Sequence, residues 1–178
     1  MEKNGKKMTA NEICSIALFM ALVCVSTLFF KIPIPLGYAH LGNGFVFLAA
    51  VFLGNPGSML CAGIGSALAD MLGGWYAWIL PTLVIKCLMG FFVSAIACDK
   101  EGNAKIFCGK TYLALAVGTV EMVLGYFIAG ALLEGNLAAG AAQIPGLLGE
   151  DVLGIILFFV LGVALEKAGV KRLMRGKA

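Results

Sequence analysis

Residues 16–25 read Ile16-Ala17-Leu18-Phe19-Met20-Ala21-Leu22-Val23-Cys24-Val25, ten residues without a charge. They belong to an apolar run over 13–30, close to the ~20 residues that a helix needs to cross a bilayer. Five more apolar stretches follow, over 44–53, 58–72, 77–97, 112–133 and 144–165. Hydrophobic residues make up 61% of the 178-residue chain, against ~45–50% in an ordinary soluble domain. The mean hydropathy is +0.97. This excess predicts an all-α integral membrane protein, a six-helix bundle forming a single membrane domain over 1–178. The first run is too long for the h-region of a signal peptide, and no A-x-A-like site follows it.

Punctuation between the runs is clear. Pro33 and Pro35 end the first segment, because proline cannot continue a helical ladder. A loop is expected from Leu36 through Asn43. The second segment, 44–53, is short for a full span. Gly54-Asn55-Pro56-Gly57 is a turn, and Gly73-Gly74 stops the third segment. The stretch 134–143 is expected to be a loop.

Charge sets the orientation. Of 13 Lys and Arg, 11 fall before the first segment (Lys3, Lys6, Lys7), between the fourth and fifth (Lys100, Lys105, Lys110) or after the sixth (Lys167, Lys171, Arg172, Arg175, Lys177). With six spans these groups share one side, and the positive-inside rule places both termini in the cytoplasm. The loops at 38–43, 73–78 and 134–143 then face outward. No basic stripe with interleaved aromatics is present, so nucleic acid is excluded as a partner. Six cysteines without C-x-x-C spacing, most within apolar runs, read as small hydrophobes. With a single histidine, no metal or cofactor is expected.

Charges at membrane depth are costly and usually mark a pathway, a pair or a site. Asp70 lies near the outer end of the third segment, Lys86 in the outer half of the fourth and Glu121 near the middle of the fifth. Glu150 and Asp151 lie one to two turns into the sixth. One reading is a structural network, for example Lys86 with Asp70 or Glu121. The other is the polar lining of a pocket that opens outward. Tyr38, His40 and Asn43 in the first outer loop, and Trp75, Tyr76 and Trp78 in the next, bring stacking and hydrogen-bonding groups to that side. Trp75 reads better as part of an interfacial aromatic belt. Pro81 and Thr82 could leave a backbone carbonyl free to face a cavity. An apolar concavity with a few convergent polar groups suits a planar heterocycle. The candidate binding residues are Tyr38, His40, Asn43, Asp70, Trp78, Lys86 and Glu121. The third segment is dense in Gly, Ala, Ser and Cys and suits close helix packing, and Ala17-xxx-Ala21 is a weaker instance of the same pattern.

Three signatures carry a resemblance: Ile32-Pro33-Ile34-Pro35 with Gly37-Tyr38-Ala39-His40-Leu41-Gly42-Asn43, then Gly65-Ser66-Ala67-Leu68-Ala69-Asp70, then Pro81-Thr82-Leu83-Val84-Ile85-Lys86. With six short spans and Ala17-xxx-Ala21, the whole chain resembles the substrate-binding S components of energy-coupling factor (ECF) vitamin transporters, in the riboflavin-transporter-like branch. The first and second signatures look closest to pyridoxine and hydroxymethylpyrimidine members, with riboflavin the alternative. The resemblance implies high-affinity capture of a vitamin from outside under a gating first loop. It also implies docking of the Ala17 and Ala21 face on a membrane coupling protein, two cytoplasmic ATPases as partners, and toppling of the S component in a bacterial plasma membrane. The chain has no G-x-x-x-x-G-K-[ST] run of its own to bind ATP. An intramembrane enzyme would want H-E-x-x-H or G-x-S-x-G, and neither occurs. A purely structural membrane protein would not need the outward cluster of Tyr, His, Asn, Trp and Lys.

The orientation is open to cysteine-accessibility labelling in a background freed of native cysteines. A cysteine introduced beside Lys105 is expected to react only after the membrane is permeabilised. Labelling from outside intact cells would reverse the topology.

Overall fold

The structure, a computed structural model, describes residues 8–34, 37–99, 102 and 104–174; the side chains of 31–39 are left aside. Lys3, Lys6, Lys7, Lys100, Arg175 and Lys177 lie outside the described residues, as does the side chain of Tyr38. Among the described residues, seven helices and one β-hairpin make up the fold. They are α1 (Ala10–Phe29), β1 (Lys31–Ile34), β2 (Gly37–His40), α2 (Gly42–Phe52), α3 (Gly57–Leu72), α4 (Ile79–Ala97), α5 (Gly109–Leu133), α6 (Leu137–Lys167) and α7 (Val170–Met174). A single 3-10 turn at Tyr76–Trp78 leads into α4.

Each apolar segment folds as a helix. α1, α5, α6 and the stretch Tyr76–Ala97 are long and apolar enough to cross a membrane, whereas α2 and α3 are shorter. α1 opens on a capping box. The Glu12 N–H donates to Thr9 Oγ1 at 3.2 Å, and the Thr9 N–H donates to Glu12 Oε2 at 2.8 Å. Two otherwise orphaned donors are satisfied reciprocally in this way.

The structure corrects the sequence reading in two places. The stretch before α2 is an antiparallel hairpin, with Lys31 opposite His40 and Pro33 opposite Tyr38. Proline is tolerated because both strands of a two-stranded ribbon are edges, where a missing N–H breaks no ladder on the free side. The expected outer loop at 134–143 shrinks to a tight turn. Gly135 takes φ +64°, Asn136 accepts from the Ala138 N–H at 2.9 Å, and α6 starts at Leu137. Pro145 stands inside α6 without ending it. Proline within an apolar helix is tolerated where neighbouring helices satisfy the freed carbonyl.

α2 is the hub. Ten of its 11 residues are buried, and it packs against α1, α3, α4 and α6. Its start lies directly on α6: a Cβ on Gly44 would sit 2.9 Å from the Gly154 carbonyl oxygen, and one on Gly154 would sit 2.9 Å from Asn43 Cβ. The small residues of α3 permit a similar approach to α1, where a Cβ on Gly65 would lie 2.8 Å from the Met20 carbonyl oxygen. Further along α2, Phe47 meets Phe158 of α6 edge-on, with ring centroids 6.4 Å apart. At the far end of α2, Lys171 of α7 donates to the Val51 carbonyl at 2.9 Å. It supplies a cationic cap where the helix leaves carbonyls unpaired. Ala17 and Ala21 are exposed on the outer face of α1 beside Cys14, Leu18 and Val25.

Candidate functional site: a polar cavity over a buried lysine

A cavity of about 330 Å³ opens where α3 ends and α4 begins, lined by His40, Asp70, Trp75, Trp78, Thr82, Tyr126, Gln143, Gly146, Leu147 and Glu150. Five elements contribute. β2 supplies His40, α3 supplies Asp70, α4 supplies Thr82, α5 supplies Tyr126, and the first turns of α6 supply Gln143 to Glu150. Trp75 and Trp78 come from the turn between α3 and α4.

The aromatic wall is ordered by contacts from two helices. Trp78 and Tyr126 have ring centroids 5.8 Å apart at 36°. The Tyr126 hydroxyl and Thr82 Oγ1 are 3.1 Å apart, within hydrogen-bond distance. Lys86 Nζ lies 5.4 Å from the Tyr126 ring centroid, within the range of cation–π attraction.

The polar floor is built around Lys86, which is 2% exposed. Its Nζ donates to Asn43 Oδ1 at 2.5 Å and lies 3.1 Å from Met122 Sδ. It stands 3.5 Å from Glu150 Oε1. Glu150 Oε2 in turn lies 3.3 Å from His40 Nε2. His40 Nδ1 accepts from the Gly42 N–H at 3.3 Å. That bond leaves the proton of a neutral imidazole on Nε2, which therefore donates to Glu150. On the other side of Lys86, Asn43 Nδ2 donates to Asp151 Oδ1 at 2.6 Å.

Of the residues singled out from sequence, His40, Asp70 and Trp78 line the cavity together. Lys86 is not among the lining residues and stands behind Glu150. Asn43 is fully buried in the first turn of α2, bonded to Lys86 and Asp151. Glu121 is partly buried on α5, away from the lining, and its Oε2 has no hydrogen-bond partner among the described residues. The ion-pair partner of Lys86 is Glu150, where the sequence reading offered Asp70 or Glu121. Trp75, read as part of a belt, borders the cavity while 48% exposed. Tyr126 and Gln143 were not singled out. Glu150 and Asp151 were noticed only as charges at depth. Their adjacency in one apolar helix was the available signal, since two neighbouring acids at that depth must face protein.

The family model described as ECF-type riboflavin transporter, S component, matches residues 7–167. The chain belongs to that family. ECF S components are the substrate-binding subunits of vitamin importers, so this is a transport protein carrying apolar membrane-spanning helices. A protein of Pyrococcus woesei, described as an uncharacterized protein in gap 3'region, is 35% identical over 147 residues, covering 82% of this chain and 95% of the relative.

In this S component the Lys86–Glu150 pair has a stability signature. Removing one member of a buried pair leaves an uncompensated charge, at about 3–5 kcal/mol. Lys86→Met is expected to lower the melting temperature of the purified protein markedly, and adding Glu150→Gln should recover most of the loss. A double variant no more stable than Lys86→Met would show that Glu150 is not the partner that matters.

Proposed function

We propose that this S component captures a small, single-ring nitrogen heterocycle, of the pyridoxine or hydroxymethylpyrimidine type, from outside the cell. The observation that carries this reading is the cavity itself. It pairs an aromatic wall, Trp78 with Tyr126, with hydrogen-bonding groups at His40, Asp70, Gln143 and Glu150. Its volume of about 330 Å³ lies at the lower end of the ~300–1,000 Å³ usual for small-molecule pockets, which favours one ring over a tricyclic flavin. A pyridine or pyrimidine ring stacks on Trp78, and its nitrogen and hydroxyl or amino groups meet Asp70 and Glu150. Lys86 acts on the ligand through Glu150. Tyr38 and His40 belong to the hairpin, which serves as the gate.

A riboflavin-binding role is the second reading, favoured by the description of the family model that matches. In either case the protein is a multi-pass plasma-membrane component of six spans with both termini in the cytoplasm. It works with a membrane coupling protein and two cytoplasmic ATPases and delivers its ligand by toppling. The exposed Ala17 and Ala21 give a flat strip for the coupling protein, since small residues let helices approach closely.

Titration of the purified protein with pyridoxine, hydroxymethylpyrimidine and riboflavin, followed by tryptophan fluorescence, tests the ligand. One of the single-ring compounds should bind more tightly than riboflavin. Glu150→Gln should weaken binding about ten- to hundredfold, the range for losing a hydrogen bond to a charged group. Tighter riboflavin binding would select the second reading, and no binding by any of the three would overturn both. Docking is tested separately in the assembled transporter. Ala17→Trp should abolish uptake and leave ligand affinity unchanged, and normal uptake would remove the α1 strip from the interface.

A further inference from the structure

Asn43 and Asp151 form a layer beneath the cavity that the proposed ligand contacts do not use. Asn43 is fully buried and Asp151 is 1% exposed. The two ends of the Asn43 side chain do opposite jobs. Its carbonyl oxygen accepts from Lys86 Nζ at 2.5 Å, and its amide nitrogen donates to Asp151 Oδ1 at 2.6 Å and to Met122 Sδ at 3.1 Å. Two carboxyl groups of α6 therefore flank one amine: Glu150 on the cavity wall, 3.5 Å from Nζ, and Asp151 on the far side of the amide; Glu121 on α5 is a third acid within electrostatic reach of Lys86 and Asp151. Asp151 Oδ2 has no close hydrogen-bond partner among the described residues, and the Thr119 hydroxyl stands near the carboxyl group. In an apolar interior the attraction between an amine and a carboxyl group is strong and little screened. Without an intervening group, Lys86 would be drawn to Asp151.

We infer that Asn43 is a positioning residue, an uncharged spacer that keeps Lys86 off Asp151 and committed to Glu150. An amide suits the role because it offers an acceptor at one end and donors at the other. Asp151 fixes which end faces Lys86, since only the nitrogen can donate to it. The spacer cannot drift, because Gly44 and Gly154 bring the start of α2 against the α6 backbone, with Asn43 Cβ wedged beside Gly154. The chain Asp151–Asn43–Lys86–Glu150–His40 thus sets the charge presented at the cavity wall. The inference rests on the cavity being the ligand site, and the experiment separates the two claims.

Asn43→Ala should lower affinity for whichever of pyridoxine, hydroxymethylpyrimidine or riboflavin the wild type binds, by about tenfold or more, the scale of one charged hydrogen bond. Adding Asp151→Asn removes the competing carboxyl group and should restore most of that affinity, which repair of a merely structural defect would not do. A double variant no better than Asn43→Ala, or an Asn43→Ala protein that binds like wild type, overturns the spacer role. A ligand-free cycle runs beside it. The fall in melting temperature caused by Glu150→Gln should be smaller in the Asn43→Ala background than in wild type, because Lys86 has already left Glu150. Equal falls overturn the inference, since sites that do not share a partner behave additively. If wild type binds none of the three probes, the ligand-site reading fails and the cycle alone decides the spacer. Should Asn43→Ala not fold, Asn43→Val takes its place. Folding of either change only when Asp151→Asn accompanies it supports the spacer, and failure of both even then overturns it.

Discussion

A lysine amine at 2% exposure inside an apolar bundle constrains everything around it. No lipid or water can solvate it, so protein atoms must converge on it from several directions. Here they come from three other helices: Asn43 from α2, Met122 and Tyr126 from α5, and Glu150 from α6. Lys86 is the point at which the relative rotation of α2, α4, α5 and α6 is fixed. Apolar packing alone would not fix it as firmly. Leucine-rich helix faces slide against one another at modest cost, whereas a buried donor tolerates displacement of only a few tenths of an ångström before its hydrogen bonds fail.

The length of α2 explains why a cavity exists beside that lysine. Eleven residues at 1.5 Å each rise about 16 Å, roughly half of the ~30 Å hydrocarbon layer. A full-length helix in that position would fill the centre of the bundle. α2 instead begins at Gly42, and the chain before it folds back as the hairpin whose last residue, His40, borders the cavity. His40 is tied to both parts, accepting from the Gly42 N–H and bonding to Glu150. The hairpin and the floor of the cavity are therefore one connected hydrogen-bonded unit.

What the sequence discloses follows from what one dimension can encode. Apolar runs and Gly/Pro punctuation located α1 to α6 but not the short α7, because burial in lipid demands long uncharged stretches whatever their neighbours. The Thr9–Glu12 capping box and the turn and cap at Gly135-Asn136 follow recognisable local sequence patterns. The sequence reading starts the sixth segment at 144, seven residues after Leu137, because the small residues of 137–143 carry a weak apolar signal. His40, Asp70 and Trp78 were recognisable as polar or aromatic groups at one end of the bundle. Glu150 as the partner of Lys86 was not, because α4 and α6 are brought together through α2 and α5, which pack on both, and α2 is set on α6 by glycine contacts such as Gly44 with Gly154. Tyr126 in mid-helix looked like any core aromatic. Glu121 shows the converse: a charge at the right depth on α5, less than two turns of helix from Tyr126, that does not line the cavity.

The same arithmetic shows why a neutral residue belongs at the centre of a charged site. Around one amine stand Glu150 and Asp151 on α6, adjacent in sequence and about 100° apart around a helix of 3.6 residues per turn. Consecutive positions on a helix cannot face the same point, so α6 presents one carboxyl group to the cavity and the other to the interior beside α2. A second lysine could pair with Asp151, but it would bring another buried charge with its own desolvation cost. Asparagine joins Asp151 to Lys86 without adding charge. It leaves Glu150, the carboxyl group on the cavity wall, as the one paired with Lys86.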